Sequence, residues 1–555
     1  MCEEFFKPGG EGEQLQKLLE EHWQNTDNWL SQWWLDAGYL EQRCPLPVGI
    51  PSPGVAFPKF DYSGADGQVS AAAELTRIFL EYMDMIDNNR IKTDMAGKNP
   101  LDMSQYPLLF GTDRIPQPDK DLLRLRADEK TPARHVVAAC NGHLFKVDVL
   151  DDSLHALGVT QLQDQLHKVQ QQAAQPNPHP IGICSSDNRD HWAAVYQRLK
   201  KSAKNAGHLE DLESSLFIVC LDKDFKPQSG MGERDAHGLQ VMHGQGCQQN
   251  SANRWFDKTL NLTVAPNGYA GMTYEHTPAE GPPVAALADF AVDSYTTGSV
   301  RHLQGALGSY DGPKRLDFEL SDQDKAAIQE SADKFDKLVS DIEYRMFDFF
   351  DFGKGTIKKN KVGPDSFLQL AFQLSFFKLH KFHAPTYETG TLRAYHRGRT
   401  DTIRFPTPAS ALFCETMLST KSDGDKAASL RKAADAHREY MTAAMSGNGI
   451  DRHFLGWKRI AQEHGLSTPS ILSSPGFERM MHFNLSTSQV PTKNEIGFAF
   501  PGMFVDTYSL CYNPKEERMN FSCASWNSCP DTDAPSFKEQ LCESFLQMRQ
   551  VLEAA

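Results

Sequence analysis

His276 stands in the run Tyr274-Glu275-His276-Thr277-Pro278-Ala279-Glu280-Gly281-Pro282-Pro283. An imidazole in a proline- and glycine-rich turn, with a carboxylate four residues on, has the parts of an oriented general base that takes a proton near neutral pH. The same pair also suits a metal-ligand set or a hydrogen-bonded structural histidine. There is no HExxH, and the prolines prevent the regular helix that would align two ligands at i and i+4. GxSxG and a Walker phosphate loop are also absent, so a serine hydrolase and a nucleotide triphosphatase lack support.

Other residues could carry chemistry only in company. Ser486-Thr487-Ser488 by itself reads as a turn or strand end. Lys354, Lys358, Lys359 and Lys361 read as a solvated face or an anion patch, and Arg452 beside Asp451 as an ion pair on a helix surface. The eleven cysteines show neither a CxxC pair nor zinc spacing, as expected of thiols in a reducing compartment. The formal charge of -15 and the lack of a basic stripe with interleaved aromatics argue against a nucleic-acid partner.

These residues must be positioned by a large scaffold. At 555 residues the chain exceeds one ordinary core and calls for two large domains. Apolar residues make up 40%, and no stretch approaches the roughly eighteen uninterrupted apolar residues of a membrane-spanning helix. The acidic opening Met1-Cys2-Glu3-Glu4 and the closing Glu553-Ala554-Ala555 show no targeting signal.

Helix and strand signals alternate along the chain. The spacing predicts helices over Gln14 to Leu40, Ala71 to Asp87, Val284 to Asp293, Ser321 to Phe350, Asp365 to Leu379 and Ser536 to Leu552. Pro282-Pro283 opens the third of these, since proline is tolerated in a first helical turn. Pro45 to Pro58 reads as an ordered loop. Asn141-Gly142 joins a hairpin of His135 to Cys140 with Leu144 to Val149. Pro266-Asn267-Gly268 joins a second, of Leu260 to Val264 with Tyr269 to Glu275, which would deliver His276 at a strand end. Further strands are expected at Ser215 to Leu221, Val505 to Tyr512 and Arg518 to Ala524, and a domain seam at Gly308 to Pro313.

Tyr274 to Pro283, Asn253 to Leu260, Thr386-Tyr387-Glu388, Gly398-Arg399-Thr400-Asp401-Thr402, Asp451-Arg452-His453 and Leu485-Ser486-Thr487-Ser488-Gln489 together resemble the carnitine/choline acyltransferase family. The resemblance spans nearly the whole chain in the family's order, without the leading helix and organelle leader that many members carry. It implies an α/β protein of two domains of similar chloramphenicol-acetyltransferase-like topology, with mixed sheets covered by helices and an active-site tunnel at the domain interface. The seam suggests residues 26–314 for the domain carrying His276, and 1–25 with 315–555 for the domain carrying most substrate contacts. The implied activity is reversible transfer of an acetyl or other short acyl group between coenzyme A and the hydroxyl of carnitine, with no acyl-enzyme. A medium- or long-chain acyltransferase of the family and an inactive homologue that only binds coenzyme A or carnitine are the alternatives.

By this resemblance His276 is the general base, Glu280 the acid that orients it and Ser488 the hydroxyl that meets the oxyanion. Tyr387, Thr389, Thr400 and Arg452 fall where the carnitine carboxylate is held, the arginine answering a group that choline lacks. Phe500 falls near the trimethylammonium, where a ring face attracts a cation. Lys354 and Lys358 match contacts to the coenzyme A 3′-phosphate, Asp365 the pantetheine arm, and Thr391, Arg438 and Gln489 further coenzyme A contacts. Phe498 falls at the acyl-pocket position, where its bulk favours short groups; its neighbour Gly497 would invert that expectation after a one-residue shift, because strand neighbours face opposite ways. The resemblance implies carnitine and acyl-coenzyme A as substrates, no metal and no permanently bound cofactor. It further implies a monomer without a transmembrane segment, working in the mitochondrial matrix or peroxisome.

Overall fold

Alternating apolar residues in short strands, separated by long amphipathic helices, build two mixed sheets. The computed structural model describes residues 2–49 and 53–554. The first sheet has eight strands in the order Lys314–Arg315, His143–Asp148, His135–Cys140, Ile218–Leu221, Leu260–Val264, Ala270–Tyr274, Gly54–Ala56, Gly497–Ala499. Its two central pairings, of Ile218–Leu221 with its neighbours, are parallel and the rest antiparallel. The second sheet has six, in the order Ile342–Phe349, Met519–Trp526, Tyr508–Pro514, Leu485–Gln489, Thr386–Thr391, Thr400–Phe405. Here Leu485–Gln489 is parallel to both neighbours and the outer pairings are antiparallel. The chain is thus α/β, as its sequence implies.

The period of two decides which core each strand residue enters. Val136, Ala138 and Cys140 join one apolar cluster, and Val137 and Ala139 another on the opposite face. Helices Gly64–Asp87, Val159–Gln172 and Gly281–Thr297 cover the first face. Helices Pro364–His380, Asp423–Ala443 and Ala534–Ala554 cover the second sheet. Glu233–His243 packs against both Gly54–Ala56 and Ile342–Phe349, tying the sheets together. Gly54–Ala56 lies inside the proline-rich run read as a loop, and residues 50–52 of that run lie outside the described residues.

Both hairpins form, and Asn141 and Gly142 take the positive φ values, 49° and 76°, of a turn that follows strand twist. Two helix expectations are corrected. Gln14 to Leu40 is interrupted: Glu11–Gln24 ends, and Asn28 Oδ1 accepts from the amides of Leu30 and Ser31 to start a new helical segment, Ser31–Leu35, followed by a π-helical turn Asp36–Leu40. Ser321 to Phe350 is helical only over Asp322–Ser340; Ile342–Phe349, rich in aromatic residues, pairs along its whole length with Met519–Trp526.

Candidate active site

The Ala270–Tyr274 strand ends against Gly54–Ala56, and the chain then turns through Glu275 to Ala279 into helix Gly281–Thr297. Proline at the first helical turn costs no hydrogen bond there, so Pro282-Pro283 starts the helix directly after Glu280, its N-cap residue. The turn is pinned from beneath by buried Arg114. Its Nη1 lies 3.3 Å from Thr277 Oγ1 and 3.5 Å from Glu275 Oε1, its Nη2 donates to the Tyr39 carbonyl at 2.8 Å, and its Nε to Asp121 at 2.7 Å. Asp121 in turn pairs with Arg189 at 2.7 Å, so a chain of satisfied buried charges supports the turn.

The His276 ring lies near-parallel to those of Tyr39 and Tyr274, with centroids 5.7 and 5.4 Å away. The Tyr39 hydroxyl lies 3.2 Å from Nδ1. Nε2 faces Glu280, whose Oε2 is 3.7 Å away, too far for a hydrogen bond but close for a charge. The other Glu280 oxygen accepts from Arg399 Nε at 2.6 Å, and the Glu280 amide donates to Gln105 at 2.8 Å. Burial lowers the His276 pKa, with Glu280 opposing and Arg399 adding to that shift. Burial would raise that of Glu280, but Arg399 and His276 hold it below the usual carboxylate value. The result is a neutral imidazole beside an ionised carboxylate near neutral pH.

The face of the second sheet that meets this turn carries hydroxyls. Tyr387, Thr389 and Thr391 alternate on one side of their strand, all half-buried, and the parallel register of Tyr387 with Ser486 puts Ser486 and Ser488 on the same side. Thr400 pairs with Thr391 across the neighbouring strand. Arg452, 5% exposed near the start of helix Asp451–Glu463, donates to the Thr400 carbonyl at 2.8 Å and reaches the Tyr387 hydroxyl at 3.3 Å. Its guanidinium carbon sits 3.4 Å from the centre of the Trp34 ring. Asp451 is engaged by Arg404 at 2.7 Å, so the surface pair suggested by Asp451-Arg452 does not form. Among the described residues no carboxylate lies within 4.0 Å of the Arg452 guanidinium, so a buried cation faces hydroxyls and an aromatic ring.

A cavity of about 310 Å³ opens at the other end of this region, lined by Lys354, Asp365, Gln489, Thr492, Asn513 and Lys515 with three prolines. Three residues assigned to coenzyme A are therefore brought together, while Lys358 lies exposed on helix Lys354–Lys359. Arg438 does not line the cavity; it is exposed and pairs with Asp435 at 2.9 Å. Lys515 is an addition: its ammonium lies 3.2 Å from the carbonyls of Lys493 and Asn494, and burial lowers its pKa, with Glu495 and Asp289 opposing and Arg518 and Lys354 adding to the shift.

Asp365, Glu388 and His437 bring ligand atoms within 4.8 Å of one another, a set that could hold a metal ion. Protein hydrogen bonds already engage these groups: His437 lies 2.8 Å from Ser366 Oγ through Nδ1 and 2.8 Å from Glu388 through Nε2, and the Tyr512 hydroxyl donates to Asp365 at 2.6 Å. Burial and repulsion by Glu388 push Asp365 up to about 7, and burial pushes Glu388 up to about 8 against a hydrogen bond with Asp365.

Phe498 and Gly497 face opposite ways. Phe498 joins the cluster that contains Tyr274, Ala279 and Cys511, along with Phe500, whereas a Cβ on Gly497 would run into the Met346 thioether on the other side. Tyr39 and Arg114 gave no local signal; each acts through contacts more than 70 positions away in sequence. Arg399 sits within a quoted motif and Gln105 outside any, and both reach Glu280 only after folding.

The chain matches the Choline/Carnitine o-acyltransferase family over residues 1–543. It is 39% identical to carnitine O-acetyltransferase of Columba livia and 37% identical to that of Homo sapiens, over all of this chain and 88% of each relative. It is 33% identical to choline O-acetyltransferase of Sus scrofa, over 99% of this chain and 87% of that one.

Proposed function

The chain belongs to the choline/carnitine O-acyltransferase family and is an acyltransferase, and on that premise we propose that it moves an acetyl group reversibly between coenzyme A and the hydroxyl of carnitine. His276 Nε2 takes the proton of the carnitine hydroxyl as the oxygen attacks the thioester carbon. Ser488, on the hydroxyl-bearing face of the second sheet, donates to the oxyanion of the tetrahedral adduct. The C–S bond then breaks, the leaving sulfur takes the proton from the imidazolium, and acetylcarnitine and coenzyme A are released. No bond to the protein is made at any step.

Arg452 carries the choice of acceptor. Carnitine and choline share a trimethylammonium and a hydroxyl, and only carnitine has a carboxylate. A buried guanidinium that has no carboxylate partner among the described residues and is flanked by the hydroxyls of Tyr387 and Thr400 is matched to such a group. Phe500 offers a ring for the trimethylammonium. Lys354 and Lys515 at the cavity supply the positive charge that a polyanionic donor needs on a protein of net charge -15. The buried ring of Phe498, turned to the His276 side, supports a short acyl group.

Thiol release from acetyl-, octanoyl- and palmitoyl-coenzyme A with carnitine or choline tests this reading. Acetyl-coenzyme A with carnitine should be the best pair, and His276→Ala should lose activity by about 10²–10⁴-fold. Absence of acetylcarnitine, or an alanine variant with most of its activity, rejects it.

A further inference from the structure

The turn carrying His276 is gripped from the second sheet by one side chain. Arg399 precedes strand Thr400–Phe405 and crosses to the turn, where Nε donates to Glu280 Oε1 at 2.6 Å, Nη1 to the Thr277 carbonyl at 2.6 Å and Nη2 to the His276 carbonyl at 3.2 Å. Its guanidinium lies 5.1 Å from the centre of the Tyr39 ring, whose hydroxyl reaches His276 Nδ1. The planar fork of arginine suits this arrangement; a lysine ammonium cannot span a carboxylate and two carbonyls in the same way.

We propose that Arg399 is a positioning residue for proton transfer, holding the His276 turn and the Glu280 carboxylate in register across the domain interface and balancing the carboxylate's charge so that the imidazole remains available as a base. The proposal rests on the reading of His276 as that base. A carboxylate 3.7 Å from Nε2 and uncompensated would keep a proton on the ring. The charged or titratable groups around the pair and its turn are Tyr39 from the Asp36–Leu40 turn, Arg114 from beneath, Tyr274 and Glu275 from the strand end, and Tyr387, Arg399, Arg452 and Cys511 from the second half. Arg399 alone among them bonds to Glu280 and to the turn's backbone together.

Replacing Arg399 by glutamine removes a positive charge from beside the pair, so the pair binds its proton more tightly. The base form exists above the pKa, so a raised pKa moves the loss of rate to higher pH. Wild type, Arg399→Gln and Arg399→Lys are compared in kcat/KM against pH, and the His276 imidazole is titrated by NMR in ligand-free, histidine-labelled protein, assigned by its disappearance in His276→Ala. In Arg399→Gln the titration and the acid limb should both rise by about one pH unit or more. The rate at pH 7 should fall about tenfold, through kcat more than KM, and recover partly at alkaline pH. Arg399→Lys keeps the charge and should leave the limb near its wild-type position while kcat falls.

An unshifted His276 titration in Arg399→Gln, or an equal loss of rate at every pH, overturns the proposal. If the glutamine variant does not fold, the lysine variant decides, and wild-type kcat in it overturns the proposal. The titration needs no substrate, so it reports on Arg399 even if the wild type fails to turn over acetyl-coenzyme A, a failure that would count against the proposed activity instead.

Discussion

His276 is kept neutral by its surroundings, chiefly by burial, against the pull of Glu280. In the proposed role of base it would work above its pKa, which lies below the ordinary histidine value of about 6.5. The expected profile of kcat/KM is therefore flat through neutral pH, with its acid limb falling only below about pH 6.5. A limb centred above pH 7 would contradict it. The role proposed for Arg452 belongs to the same scale but concerns binding. On that proposal Arg452→Ala removes the charged partner of the carnitine carboxylate, which typically costs roughly 2–5 kcal/mol, so the carnitine KM should rise about thirtyfold or more. Coenzyme A binding, followed by calorimetry, should stay close to wild type, and equal weakening of both ligands would remove the assignment.

Strand Gly497–Ala499 does two jobs because successive residues face opposite ways. Phe498 enters the cluster shared with Tyr274, while Gly497 makes room for Met346. Phe498→Ala should cost about 3–5 kcal/mol of stability as a large-to-small core change, measured by denaturant unfolding. It should also raise the rate with octanoyl- relative to acetyl-coenzyme A; an unchanged ratio would take Phe498 out of the acyl pocket. The same alternation made much of the local structure legible. Both hairpins, with their Asn-Gly turns, and the His276 strand end follow from residue pattern alone. Ser321 to Phe350 was not legible as two elements, because a helix running straight into an apolar strand leaves no proline or glycine at the join, and Met519–Trp526, almost 180 residues away, supplies the pairing that makes Ile342–Phe349 extended.

Across the whole molecule the two sheets are interlocked. The first ends on Gly497–Ala499, contributed from late in the chain, and the N-terminal helix Glu11–Gln24 packs Leu15 and Leu19 against Trp457 and Ile460. A fragment of residues 1–312 would leave Gly54–Ala56 as an unpaired edge and this apolar helix face uncovered. It should aggregate or remain unfolded alone, whereas co-expression with residues 313–555 should recover soluble, active protein. A soluble, cooperatively unfolding 1–312 fragment would show that the late strand is dispensable.

Motif order pointed to the family from the sequence, and the residue types around His276 suggested a general base, because reactive side chains and turn residues are properties of short segments; the oxyanion role of Ser488 and the carboxylate-bearing acceptor of Arg452 came from the family resemblance alone. The net charge of -15 added that the polyanionic donor implied by the resemblance would need a local lysine patch. Only the tertiary structure decided that Arg452 is free of Asp451, that Phe498 and not Gly497 turns toward the His276 side, that Lys515 joins Lys354 at the cavity, and that Tyr39, Arg114 and Arg399 hold the histidine. Each of these is a contact between segments far apart in the chain. The partner of a buried charge, and the face a strand turns to a core, are set by packing that no short stretch of sequence contains.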